Sequence, residues 1–195
     1  MIETGRRRRP KVARRERRWF PGAGGTRMPG DVRGQSLVEF ALVVAPLLLL
    51  LLGIIQFGFV FNSYVTLTNA VREGARDGSI YVYDRTDTKA GNDAARNARV
   101  LSTVLSSLNL LSKSAPQFTT GGSWSQSGQA FTNGDLVVTY AVPTGVSDGD
   151  TRVGQQLTVR VTYHQDLFLP LISSFLPRDA NGRLPLVAEV TMAVN

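Results

Sequence analysis

The chain has no cysteine and a single histidine, His164. Disulfides, thiolate catalysis and thiolate-held metals are therefore excluded, and so is a cluster of imidazole ligands. An exported domain without disulfides has to stand on its own apolar core, which about 120 residues can supply. Net charge is also nearly missing over most of the length. Residues 1–34 carry eleven basic side chains against Glu3, Glu16 and Asp31, a balance of +8, whereas residues 35–195 carry eleven basic and twelve acidic ones, a balance of −1. The pI near 10.4 is thus a property of the leader. Charge is absent altogether from residues 40–61, a run of 22 dominated by Leu, Val, Ile and Phe.

At about 1.5 Å per residue that run spans roughly 33 Å, enough for a hydrocarbon core of about 30 Å. A helix buried in a soluble protein keeps a polar face, and Pro46 followed by six consecutive leucines has none. The run therefore reads as a membrane helix. Lys and Arg next to a membrane helix resist translocation, which places the leader in the cytoplasm and residues 62–195 outside. Asn62, Ser63, Tyr64, Val65 and Thr66 beyond the run offer no small-residue site for a secretory signal cut. Pro46 invites a kink, and Gln56 is a lone polar group at depth that could bond across helices or to its own backbone.

Glu39 stands at the mouth of the run, five residues after Gly34 and just before Phe40. A carboxylate there is costly unless something answers its charge. The string Gly34-Gln35-Ser36-Leu37-Val38-Glu39-Phe40 resembles a prepilin peptidase motif: a glycine, four residues, a glutamate, an aromatic. With residues 41–47 and the later Arg72-Glu73-Gly74-Ala75-Arg76, it resembles the TadE-like family, pseudopilins or minor pilins of tight-adherence, Flp-type pilus systems. The specific resemblance covers about residues 33–78.

That resemblance implies cleavage after Gly34 by a prepilin peptidase, with Gln35 as the new N-terminus. It implies that Glu39 of one subunit pairs with the amine so created on a neighbour, so that two charges costly in lipid become one neutral pair. Phe40 then begins the hydrophobic helix. The implied partners are the peptidase, other pilin or pseudopilin subunits and an inner-membrane pilus assembly platform. A start at Met28 would leave a seven-residue leader of more ordinary type.

The expected organisation is a basic leader over 1–34, a transmembrane helix over 35–61 and an extracytoplasmic α+β domain over 62–195. The first helix should continue to about Gly78, with Tyr64, Thr68, Val71 and Ala75 on one face. Arg72, Glu73 and Arg76 then form either a polar contact with the sheet or another subunit, or a solvated face with pairing along the helix. A second helix is expected over 92–111, capped by Asn92 or Asp93. Its expected core stripe is Ala94, Ala98, Leu101, Leu105 and Leu108, flanked by Val104 and Leu111. Residues 112–134 read as loop or weak strand anchored by Trp124 and Phe131. Strands are expected over 136–142, 156–164 and 186–194, each with one apolar face. A sheet apolar on one side calls for helices on that side, so the fold class is α+β: an N-terminal transmembrane helix extending into an external domain where a second helix packs on a small antiparallel, pilin-like sheet. Residues 167–177 are too apolar for an exposed loop and would lie in the core, against the membrane or at a subunit contact.

No spacing of residues supports catalysis. His164 falls on an expected strand as an exposed residue, and Asp148 and Asp150 share a Gly-rich turn that lacks the ligand spacing of a calcium loop. The chain therefore reads as non-enzymatic, with no cofactor and no metal. The Arg6–Arg9 run could suggest nucleic acid, but beside a membrane helix its simpler partners are anionic membrane lipids. The alternative to a processed pilin is an unprocessed single-pass membrane protein whose external domain binds or scaffolds something.

Overall fold

A 48-residue helix, α1 (Val32–Ser79), opens the structure, a computed structural model that describes residues 32–109, 114–169 and 176–195. The basic leader up to residue 31, Leu111 and residues 170–175 of the apolar segment lie outside the described residues. The chain divides into two units, Met1–Val43 and Val44–Asn195, with the boundary inside α1. In the first unit the described residues are helical, and their side chains from Gly34 to Leu42 are exposed.

In the second unit α1 continues through the leucine run, past the internal Pro46, and its last four turns become one wall of a core. The helix is long and apolar enough to cross a membrane over its early part. Beyond that part Leu67, Ala70, Val71 and Ala75 are buried. Tyr64 and Thr68, expected on this face, are not: Tyr64 is exposed and Thr68 uses its hydroxyl to bond the Tyr64 carbonyl, 2.9 Å. The buried face instead runs along Leu67, Ala70, Val71, Gly74 and Ala75.

Helix α2 (Lys89–Ser107) starts three residues earlier than the composition suggested. Thr88 is the cap, its hydroxyl accepting the Gly91 N–H at 3.1 Å. Asn92 and Asp93 cannot serve as caps because both are buried and committed elsewhere. Asn92 accepts the Asp84 N–H (2.7 Å) and donates to the carbonyls of Asp84 and Thr88, pinning the 81–88 loop. At the other end Asn109 takes a left-handed conformation, φ 55°, the usual way to stop a helix.

Seven strands follow. β1 (Ser114–Ala115) and β2 (Phe118–Thr119) form a small hairpin. β3 (Ser125–Ser127), β4 (Ala130–Asn133), β5 (Leu136–Ala141), β6 (Gln156–Gln165) and β7 (Leu184–Ala193) form an antiparallel meander in sequential order. Register puts Leu136 opposite Val161, Val138 opposite Val159 and Val161 opposite Ala188, so one face is apolar throughout. That face, with Phe118, Phe131 and Tyr140, packs against Val100, Val104 and Leu105 of α2 and the end of α1. Each fully buried Val or Leu here contributes about 1.5–3 kcal/mol relative to exposure, which makes this the main stabilising feature. The opposite face stays partly open and polar, with Arg160 across from Glu189 and a 2.8 Å hydroxyl bond between Thr158 and Thr191. The architecture is α+β, with a membrane-capable helix leading into an antiparallel sheet covered on one side.

Candidate assembly site

In the first unit the residues of the peptidase-like motif all lie on helical backbone. Gln35 and Glu39 are one turn apart, and the Gln35 amide donates to Glu39 Oε1 at 3.0 Å. Gly34, Gln35, Glu39 and Phe40 are exposed, so the carboxylate is held by one neutral donor and faces outward. Among the described residues, Glu39 is an acid on an exposed helix surface with no cation paired to it.

In the second unit the stretch 72–76 divides by position on the helix. Arg72, Glu73 and Arg76 face away from the core, with Arg76 Nη1 3.6 Å from Glu73 Oε1 in an exposed pair. Such pairs add little stability. Within this chain the Glu73 and Arg76 charges are exposed and pair along the helix. Gly74 and Ala75 face inward. A Cβ on Gly74 would stand 2.6 Å from Val104 Cγ2, and one on Gly78 would stand 2.6 Å from Val100 Cγ2 and 2.7 Å from Leu157 Cδ2. Gly74 and Gly78 thus form a groove on α1 that seats the Val100–Val104 ridge of α2. The contact is clipped at its edge by Asp77, whose carboxylate takes both Arg99 Nε and Nη2 at 2.8 Å and the Thr103 hydroxyl at 2.8 Å.

The Arg99 hydrogen bonds hold the Asp77 carboxyl below the usual aspartate range. Asp166, bonded to Arg183, and Asp148, bonded to Gln155 and Lys89, are lowered too. A lowered folded pKa contributes stability above the unfolded value, near 3.9, and that stability is lost as pH falls through the folded value. Urea unfolding midpoints should therefore stay level from neutrality to about pH 5 and drop below about pH 4. Asp77→Asn should make that drop shallower, and an unchanged profile would remove Asp77 from the account.

The N-terminal half of α2 departs most from expectation. Ala94 and Ala98 are exposed, while Asp93, Arg96 and Asn97 are buried. Their partner is Arg152, in the β5–β6 connection. Its guanidinium forks onto Asp93 at 2.6 and 2.8 Å and donates to Gln129 (2.8 Å) and Gln155 (3.1 Å). It lies 3.9 Å over the Tyr140 ring, whose hydroxyl donates to Asn97 at 2.8 Å. Burial pushes the Tyr140 hydroxyl up to about 12. Arg96 completes the group, stacking on Tyr81 and donating to the Thr151 carbonyl at 3.3 Å. The polar side of α2 is thus the inner side at this end, because a planar cation and a carboxylate satisfy one another there.

His164 is half-buried between two carboxylates instead of exposed. Nε2 is 3.2 Å from Asp135, and Nδ1 is 2.7 Å from Asp179. Asp148 of the Gly-rich turn faces the Lys89 ammonium at 3.2 Å and the Gln155 amide at 2.9 Å. Among the described residues no group of three or more acidic or imidazole side chains converges as a metal site. Gln56, expected to bond across helices or to its own backbone, accepts the Phe168 N–H at 2.7 Å.

These features define a class: a chain carried on a single membrane-capable N-terminal helix, with an α+β domain built on that helix's far end. The family described as TadE-like protein matches residues 34–76, the motif, the apolar run and the Gly74 groove, in agreement with the resemblance in the sequence. This similarity points to a Tad pilus-associated membrane protein. Searches of curated proteins and of solved structures found no match. The sheet, the Arg152 cluster and Phe168, though not its partners Gln56 and Phe59, lie beyond the matched residues. Sequence spacing carries little trace of them, since Asp93 and Arg152 are 59 residues apart.

Proposed function

We propose that the protein is a membrane-anchored pseudopilin or minor pilin that takes part in building a Tad/Flp-type pilus for adhesion. It is inserted with residues 1–34 in the cytoplasm, cut after Gly34 by a prepilin peptidase, and used through its helix. The anchor covers 35–61 and the external domain 62–195. Its partners are the peptidase, other pilin subunits, the inner-membrane assembly platform and lipid. It performs no chemistry of its own. The observation that carries this reading is Glu39: an acid at the mouth of the apolar run, four residues beyond the proposed new amine and, among the described residues, bonded by the Gln35 amide. In a row of helices, that amine on one subunit answers Glu39 on the next and rewards one register.

The test is the N-terminus of protein recovered from membranes of cells with and without the prepilin peptidase. A terminus at Gln35 that disappears without the enzyme is the expected result. Glu39→Ala should then still be cut but fail to enter pili. An uncut chain in both strains would favour the permanently anchored, single-pass scaffold instead.

A further inference from the structure

The connection after β6 returns to the apolar part of α1. Gln56 Oε1 accepts the Phe168 backbone N–H at 2.7 Å, and the Phe168 ring meets Phe59 edge to face with centroids 5.9 Å apart. Leu52, Ile55, Gln56, Phe59, Phe168 and Leu169 line one open apolar hollow. Gln56 is only 4% exposed, whereas Phe168 is 69% exposed and its ring is offered outward.

Position along the helix gives the depth of this contact. Gln56 lies five residues before Phe61, where the apolar run gives way to Asn62 and Ser63. That puts it about 7 Å inside the apolar boundary at 1.5 Å per residue. Non-helical backbone at such a depth finds no water, so its N–H needs a partner from the protein. Gln56 is that partner, which accounts for a polar side chain within the run.

We propose that residues 167–169 enter the bilayer leaflet on the side of the sheet domain, with Phe168 and Leu169 against lipid acyl chains. The lipid is identified by continuity: Leu52, Ile55 and Phe59 belong to the charge-free surface that acyl chains cover, and Phe168 extends that surface sideways. The domain is then held to the membrane at two points, α1 and this turn. An aromatic ring near the interface suits that role.

This inference rests on the reading that α1 spans a bilayer, and the experiment separates the two. The chain has no cysteine, so single-cysteine variants take one probe each. Phe168→Cys, Leu49→Cys and Val82→Cys full-length proteins are labelled with NBD in phosphatidylethanolamine–phosphatidylglycerol vesicles. The Phe168 probe should be quenched by doxyl groups high on the acyl chain and resist iodide. The Leu49 probe should respond to doxyl groups low on the chain, and the Val82 probe to iodide. Iodide quenching at 168 with a lipid-buried probe at 49 would overturn the inference and leave the spanning helix intact. Iodide quenching at 49 would overturn both. Protection at 168 that vanishes as protein is diluted in lipid would assign the surface to a second copy, and so overturn it as well. Adding Gln56→Leu should move the 168 probe toward water, and an unmoved probe would remove Gln56 from the proposal.

Discussion

Replacing Arg152 with methionine should lower the domain's stability by about 3–5 kcal/mol, the usual cost of removing one partner from a buried ion pair. Methionine keeps much of the stem's volume, so the loss isolates the charge. What remains is Asp93, buried, with Arg96 Nη1 3.9 Å away as its nearest cation. Gln129 and Gln155 also lose a donor. Lysine should not rescue, because an ammonium cannot make the two parallel bonds of the guanidinium. Asp93→Asn should cost at least as much, since it leaves Arg96 and Arg152 together with no carboxylate between them. The double variant should cost less than the sum of the two, a coupling that a cycle of urea midpoints measures. A loss below about 1 kcal/mol for Arg152→Met would show that water reaches the pair and that it behaves as a surface bridge. The backbone adds a further signature. Arg152 is held at φ 58°, a left-handed conformation that a side chain adopts only when its surroundings fix it. Arg152→Gly would relax that strain but also empty the buried space the stem fills, so it should cost at least as much as Arg152→Met.

This cluster marks the limit of what the sequence discloses. The apolar helix, its continuation to Ser79, and β5, β6 and β7 follow from local patterning, and the end of α1 and the bounds of the three strands lie within two residues of expectation. The Gly34–Phe40 motif is likewise local and legible. Apolar spacing locates α2 and the C-terminal half of its stripe, where Leu101, Val104, Leu105 and Leu108 pack on the core, but not the N-terminal half, where the inner face carries Asp93, Arg96 and Asn97 in place of Ala94 and Ala98. Its partner is a single arginine in a loop, and no window of sequence joins them. The same holds for His164, whose two aspartates come from the β4–β5 turn and the connection before β7. Gln56 was visible as an anomaly within the apolar run. Its acceptor role was not, since Phe168 is 112 residues away.

Gly78 should be the least replaceable residue of the matched helix's far end, although it lies two residues past the Arg72–Arg76 motif. Alanine there would gain about 0.5–1 kcal/mol of helix propensity over glycine. Against that, its Cβ meets Val100 and Leu157 at 2.6 and 2.7 Å, from two different elements. Val100 is β-branched with one favoured rotamer in a helix, so it cannot turn away cheaply. Overpacking of this kind costs about 1–3 kcal/mol, and the net is destabilisation. Gly78→Leu should exceed that range and part α1 from α2. Combining Gly78→Ala with Val100→Ala should recover part of the loss, which separates a steric cause from a conformational one. Arg72→Ala and Glu73→Ala, by contrast, should shift stability by no more than about 0.5 kcal/mol, as exposed substitutions do. The glycines then serve the docking of the anchor helix to its own domain, and the charges are left free for another surface. If those charge variants unfold the domain while Gly78→Leu leaves it intact, the roles assigned to the two sides of the helix are reversed.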